Sequence, residues 1–291
     1  MEIARRCIYC DHDAPELSPA IIMPFVAHRA LGYKPVKITS DWGLRDVPVG
    51  QCQARCNTLH CINCGGVFMD LRFGEAEMAA LYNDYRGPDY TALRERYEPD
   101  YRLRNEELSQ LSHTLAVENF MSGKLPEQPS ILDWGGDDGR NTPFRYKASP
   151  CHIVDISGKA TLPGTLGLTA ADALGNDYDL VILSHVLEHH PSPLSLLKVI
   201  APLIHRGAQL YIEVPYEKLM IKLACGDDTE QIWQTKRHWH EHVNFFSKTA
   251  LKTLIARTGL VADQLLERQD SPESSVLCAL CTHHSTNEKY F

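Results

Sequence analysis

The sequence predicts an α/β protein: a doubly wound sheet in the C-terminal part, a small cysteine-rich module in front of it, and a helical segment joining the two. Three observations carry this. From residue 131 onward, short apolar runs alternate with amphipathic stretches, the pattern of strands wrapped by helices. One of those runs, YDLVILSHV (178–186), is apolar on both alternating faces, as a strand buried from both sides must be. And six of the ten cysteines lie within the first 64 residues.

The 291 residues give room for about two domains. The composition, 44% hydrophobic and 23% charged, excludes a wholly disordered chain. A formal net charge of −8 argues against a broad grip on nucleic acid phosphates. No uncharged apolar run approaches the ~20 residues of a membrane span. MEIARRCIYCDHD lacks a signal-peptide core, so a cytoplasmic location is the expectation.

Taken in order, residues 1–74 form a zinc-binding domain, turn-rich and with little helical periodicity. Residues 75–124 form a helical linker or lid. GEAEMAALYNDY opens with the acids that favour a helix N-terminus, YRGPDY breaks it at Gly87-Pro88, and Leu108, Leu111, Leu115 and Phe120 recur at helical spacing. Residues 125–291 form the α/β domain. Its strands are expected at SILDWGG, CHIVDIS, YDLVILSHV, AQLYIEVP, GLVADQLLERQ and SSVLCALCTH, with helices at SPLSLLKVIAPLI and SKTALKTLIARTG.

The first strand ends in ILDWGGDDG (131–139), where Gly135, Gly136 and Gly139 permit positive φ and close approach of a ligand. Asp133 sits at the carboxyl end of the strand, where open α/β sheets bind ligands. Asp155, at the end of the next strand, is placed to accept ribose hydroxyls, and Asp172 to accept from an adenine amino group. Asp137 and Asp138 put negative charge where a pyrophosphate would lie. The pattern favours a cofactor with a ribose and an adenine, no phosphate and a positive charge, which S-adenosylmethionine satisfies.

These residues resemble class I S-adenosylmethionine-dependent methyltransferases. ILDWGGDDG resembles the first motif of that family, with Gly136-Asp137-Asp138 in place of its commoner glycine core. DIS (155–157) resembles the second, YDLVILSHVLEHHPSP the fourth strand and IEVP the fifth. The resemblance implies seven strands in the order 3-2-1-4-5-7-6 with an antiparallel last pair. It also implies that Asp155 and Ile156 hold the ribose side, Asp172 and Ala173 lie along the adenine, and Ser184 and His185 line the cofactor floor.

Cys7-Ile-Tyr-Cys10 and Cys61-Ile-Asn-Cys64 are two CxxC pairs able to close a tetrahedral structural Zn2+ site. Cys52, Cys56 and His60 offer another half-site, and Cys278, Cys281, His283 and His284 have ligand spacing inside what reads as a buried strand. LHCINCGGVFMDLRFGEAEMAALYNDY resembles the matching segment of zinc-containing sugar C-methyltransferases acting on nucleotide-linked deoxysugars. That resemblance implies a purely structural zinc that shapes a lid.

TKRHWHEHVNFFS (235–247) crowds His238, His240, Glu241 and His242 after the fifth strand. Histidine suits a general base near neutral pH. EHVNFFS resembles the Glu-His segment of the same enzymes, which implies His242 as base and Glu241 as its assistant; Trp239 stands where they often carry an aromatic hydroxyl. The duller alternative is that His242 braces the helix begun at Ser247, a plausible N-cap. Three functions follow from the sequence. The first is methyl transfer to a small, sugar-like or nucleotide-sugar-like acceptor. The second is methylation of nucleic acid or protein, motivated by Arg94, Arg96, Arg102 and Arg104. The third is a non-catalytic binding module that retains the fold. The oligomeric state is left open.

Overall fold

The computed structural model describes residues 1–109, 112–205, 207–225, 232–271 and 274–283. The α/β part holds a seven-stranded sheet. Its strands are β8 (Ile131–Trp134), β9 (Cys151–Val154), β10 (Leu166–Gly167), β11 (Leu180–Ser184), β12 (Gln209–Pro215), β15 (Leu260–Ser271) and β16 (Ser274–His283). Their spatial order is β10-β9-β8-β11-β12-β16-β15, the 3-2-1-4-5-7-6 arrangement implied by the resemblance. β8, β9, β10, β11 and β12 are parallel, and β16 runs antiparallel to both its neighbours.

Leu180, Val181, Ile182 and Leu183 are fully buried in the centre of this sheet. The apolar run is continuous because both faces are covered. Helices α6 (Ala170–Ala173), α7 (Pro193–Ile200), α8 (Lys218–Cys225) and α9 (Lys248–Ala256) alternate with the strands. Ser247 is the N-cap of α9, accepting from Ala250 N at 2.9 Å, and its hydroxyl donates to Cys64 O.

The N-terminal part carries β1 (Glu2–Ile3), β2 (Glu16–Ile22), β3 (Val36–Ile38), β4 (Gly50–Cys52), β5 (Arg55–His60), β6 (Val67–Met69) and β7 (Leu71–Arg72). β1 pairs with β7 and β3 with β4. A five-stranded sheet has the order β13-β2-β5-β6-β14, and its two edges come from far along the chain, β13 (His238–Trp239) and β14 (Asn244–Phe245). The histidine-rich segment is therefore sewn into the cysteine-rich sheet.

Helix α1 (Pro24–Leu31) was not legible as helical in a turn-rich stretch; it begins on Pro24, buries Phe25, Val26, Ala27 and Ala30, and stops at Gly32 in the left-handed region. Among the described residues the linker holds four helices, α2 (Glu75–Tyr82), α3 (Pro88–Glu95), α4 (Tyr101–Ser109) and α5 (Thr114–Phe120). Gly74 caps α2, its N–H donating to Glu77 Oε2 at 2.7 Å, and α3 opens on Pro88 after Gly87. The expected continuous helix through Leu115 does not form. Ser112 and Thr114 bond each other through their hydroxyls at 2.9 Å, a local pairing that competes with helix, and Leu115 is exposed. Leu111 lies outside the described residues. No described helix is long and apolar enough to cross a membrane.

Candidate functional site

The glycine turn follows from the end of β8. Gly135 has φ +86°, and a Cβ there would lie 2.4 Å from Val186 Cγ2, so both conformation and space demand glycine. Gly136 packs directly on Asp133, whose carboxyl carbon would lie 2.7 Å from an added Cβ. Gly139, φ +82°, closes the turn by donating to Gly136 O at 2.8 Å. Gly135→Ala should therefore weaken cofactor binding at least tenfold and lower the melting temperature. The left-handed backbone alone costs about 1–2 kcal/mol, and Val186 must also move. Calorimetry with S-adenosylhomocysteine and a thermal melt check this.

Asp133 is buried, and burial raises its carboxyl to about 6 while the Thr142 hydroxyl, at 2.6 Å, opposes the shift. It shapes the turn from beneath. Asp155 accepts from Asp137 N at 2.9 Å and from Ser157 N at 2.7 Å. A carboxylate has about four lone-pair sites, so Asp155 keeps capacity for further donors. The turn is less negative than its two acids imply, because Lys159 lies 2.8 Å from Asp137 and Arg140 lies 3.2 Å from Asp138.

A cavity of about 660 Å³ opens on this turn. Gly135, Asp137, Asp155, Ile156 and His185 line it, facing Tyr82, Tyr85 and His189. Ile156 is 57% exposed and presents an apolar wall. Neither Asp172 nor Ala173 lines the cavity. Asp172 accepts from the Thr169 hydroxyl at 2.6 Å within the cap of α6, and Ala173 is fully buried. The cavity is bordered there by Thr169 and Ala170, which no motif singled out. Ser184 turns away to Glu213, 3.4 Å distant. A larger groove of about 1450 Å³, bordered by His60, Asn63 and Trp233, includes none of the glycine-turn residues.

His185, at φ +55°, lies between two buried acids, with Nδ1 3.2 Å from Glu188 and Nε2 3.1 Å from Glu213. Burial disfavours its charge, yet the two carboxylates outweigh this and lift it to about 10. His189 goes the other way. Burial and the neighbouring His242 lower it to about 4. Its Nδ1 meets the Tyr82 hydroxyl at 2.8 Å and Glu241 O at 3.1 Å, and its ring lies edge-on to His242, centroids 4.6 Å apart.

Among the described residues, the Glu241 carboxylate makes no hydrogen bond or ion pair with the His242 ring. That carboxylate is buried, held by the Tyr90 hydroxyl at 2.7 Å and by both terminal nitrogens of Arg94. The acid at the His242 ring is Glu217, with Oε1 3.0 Å from Nδ1. Burial lowers the affinity of His242 for its proton, but Glu217 and the nearby carboxylates reverse this and the net shift is upward. Glu217 follows β12 directly, so its place at the carboxyl end of a strand was the signal that could have found it. His238 and His240 pack edge-on against each other and stay apart from this cluster. Trp239 is fully buried, donating to the Thr58 hydroxyl at 2.9 Å.

The four cysteines of the CxxC pairs meet. Cys7 and Cys64 sulfurs are 3.6 Å apart, as are those of Cys10 and Cys61, and all four lie within 4.8 Å of one another. Tetrahedral zinc with bonds of about 2.3 Å needs sulfurs about 3.8 Å apart, so the donor set fits. Both knuckles close alike: Asp11 N donates to Cys7 O and Gly65 N to Cys61 O, each with positive φ at the donor residue. Cys56 and Cys278 are buried core residues, and Cys52 and His60 do not join the cluster. His284 lies outside the described residues. Three of the four arginines are paired with acids: Arg94 with Glu98 and Glu241, Arg102 with Glu95, Arg104 with Glu98.

No curated protein sequence matches the chain significantly. Among solved structures it resembles the 1,6-didemethyltoxoflavin N1-methyltransferase of Burkholderia thailandensis, bound to 1,6-didemethyltoxoflavin and S-adenosylhomocysteine. Identity is 14% over 76% of this chain and 97% of that one, with a TM-score of 0.49. A Methanosarcina mazei S-adenosylmethionine-dependent methyltransferase matches at 12% identity over 56% and 96%, TM-score 0.41. An O-methyltransferase of neocarzinostatin biosynthesis, bound to S-adenosylmethionine and 2-hydroxy-5-methyl naphthoic acid, matches at 17% over 67% and 64%, TM-score 0.39. The model of a methyltransferase-domain family covers residues 103–265, more than half of the chain and the whole of the glycine turn, its acids and the histidine-rich segment. The chain belongs to that family and is an S-adenosylmethionine-dependent methyltransferase.

Proposed function

We propose that the protein methylates a small acceptor of sugar or nucleotide-sugar type, on oxygen or carbon, and that Cys7, Cys10, Cys61 and Cys64 hold a structural zinc. The observation that carries the reading is the cavity between the glycine turn and the polar cluster of His185, His189 and Tyr82. A tyrosine- and histidine-lined wall opposite a ribose-binding acid suits a hydroxyl-rich small molecule. S-adenosylmethionine supplies an electrophilic methyl group when bound. Asp155 and the backbone of residues 135–137 bind and orient it. Tyr82 and Tyr85 cover the cavity and exclude water, so much of the rate comes from holding two partners in line. His242, kept in one orientation by Glu217, takes the acceptor proton. The pairing of Arg94, Arg102 and Arg104 with acids supports a small acceptor over a nucleic acid.

Asp155→Ala is expected to abolish saturable binding of S-adenosylmethionine and S-adenosylhomocysteine in zinc-replete protein, measured by calorimetry. Nucleotide-sugar acceptors are then screened with the unaltered enzyme. Failure of the folded, unaltered protein to bind either compound would overturn the reading.

A further inference from the structure

Glu188, His189 and His242 each bring one ligand atom to within 4.8 Å of the others, and the glycine turn and the cysteines take no part. Three features distinguish this cluster from an ordinary polar contact. First, the Oε2 atom of Glu188 is buried and has no hydrogen-bond partner among the described residues, although the residue is only 1% exposed. An acceptor left bare in a protein interior costs free energy unless something meets it. Second, both histidines are gripped at Nδ1, His242 by Glu217 at 3.0 Å and His189 by Tyr82 and Glu241 O. Each therefore offers Nε2, and outer partners on Nδ1 are what metal-bound histidines have. Third, His189 borders the cavity, so the cluster has an open side.

We infer that Glu188, His189 and His242 form a second metal site, for a divalent transition ion, with two imidazole nitrogens and one carboxylate oxygen as ligands. Zn2+ and Co2+ take such sets, and Mg2+ and Ca2+, which favour all-oxygen sets, do not. Bonds of about 2.1 Å put tetrahedral donors about 3.4 Å apart. The remaining closure falls to the His242 side chain, which is 38% exposed. A bound ion takes the lone pair that His242 needs as a base, so occupancy inhibits methyl transfer. The inhibition rests on the base reading above; the binding does not.

The test is a titration of zinc-replete protein with Co2+, followed by visible absorption. The expected result is one further equivalent bound, with the weak bands of nitrogen and oxygen ligation and no thiolate charge-transfer band. His189→Gln and His242→Gln should each abolish that equivalent and retain the first zinc, whose presence shows that the cysteine module is folded. Turnover at saturating Co2+ should fall on the order of 10²-fold, the size of a lost general base. No further equivalent in the unaltered protein, or an equal one in both variants, overturns the site. Binding without inhibition keeps the site and overturns the base reading instead.

Discussion

With the proposed zinc at Cys7, Cys10, Cys61 and Cys64, stripping it with a chelator, or replacing Cys64 with serine, is expected to abolish methyl transfer while S-adenosylhomocysteine binding remains measurable. The reason is the way the two halves are sewn together. His238 and Trp239 pair with Ile21 and Ile22, and Asn244 and Phe245 pair with Phe68 and Val67. Tyr9, inside the first knuckle, donates to Val67 O and Phe245 O, both at 3.2 Å. Buried Arg72 reaches Asn244 Oδ1 at 2.6 Å. Segment 238–247, with Glu241 and His242, is thus held by the sheet that the cysteines close. A structural zinc contributes about 10–16 kcal/mol to the fold of a small module, comparable to the whole stability of a typical domain, about 5–15 kcal/mol. Without it the edge strands have little to pair with. Asp155 and the glycine turn depend on β8 and β9 and keep their geometry. Calorimetry with S-adenosylhomocysteine, run beside a turnover assay on the same zinc-free sample, separates the two halves. Undiminished turnover with no zinc bound would show that the module is ornamental to the chemistry.

Four of the five parallel strands were legible because burial leaves an apolar run, as at Leu180–Leu183, and because glycine at φ +86° has no substitute; the exposed two-residue β10 was not. The CxxC pairs were legible because each knuckle is local in sequence. What could not be read was whatever depended on contacts across the chain. Glu241 looks like a partner for His242 because the two are adjacent. At the bend between the strands His238–Trp239 and Asn244–Phe245 the two side chains part, Glu241 going to Arg94 and Tyr90 while His242 goes to Glu217. Lys159 neutralises Asp137 from the following loop, so charge counted along the turn overstated its field. The resemblance puts Asp172 along the adenine, at the end of a third strand. The two-residue β10 ends early, and the chain reaches the cavity at Thr169 instead.

His242→Gln should lower kcat by about 10²–10⁴-fold, the range for loss of a general base, with S-adenosylhomocysteine binding unchanged. Glu217→Gln should cost less, about ten- to a hundredfold. The amide oxygen still accepts from Nδ1 and holds the tautomer, and only the negative charge that favours the imidazolium is gone. Because Glu217 acts through the ring, the double variant should be no slower than His242→Gln alone, a non-additivity that a merely structural glutamate would not show. Glu241→Ala belongs to a different class. It removes the carboxylate that meets both terminal nitrogens of Arg94, whose side chain is 13% exposed, and leaves Glu98 at Nε, 3.2 Å away, as the remaining partner. Leaving a buried charge wholly unpaired costs about 3–5 kcal/mol, an upper bound here because Glu98 remains, so the loss should appear in the melting temperature before it appears in turnover per folded molecule. If Glu241→Ala instead matched His242→Gln in kcat at full folding, the carboxylate would return to the chemistry and Glu217 would be left as scaffolding.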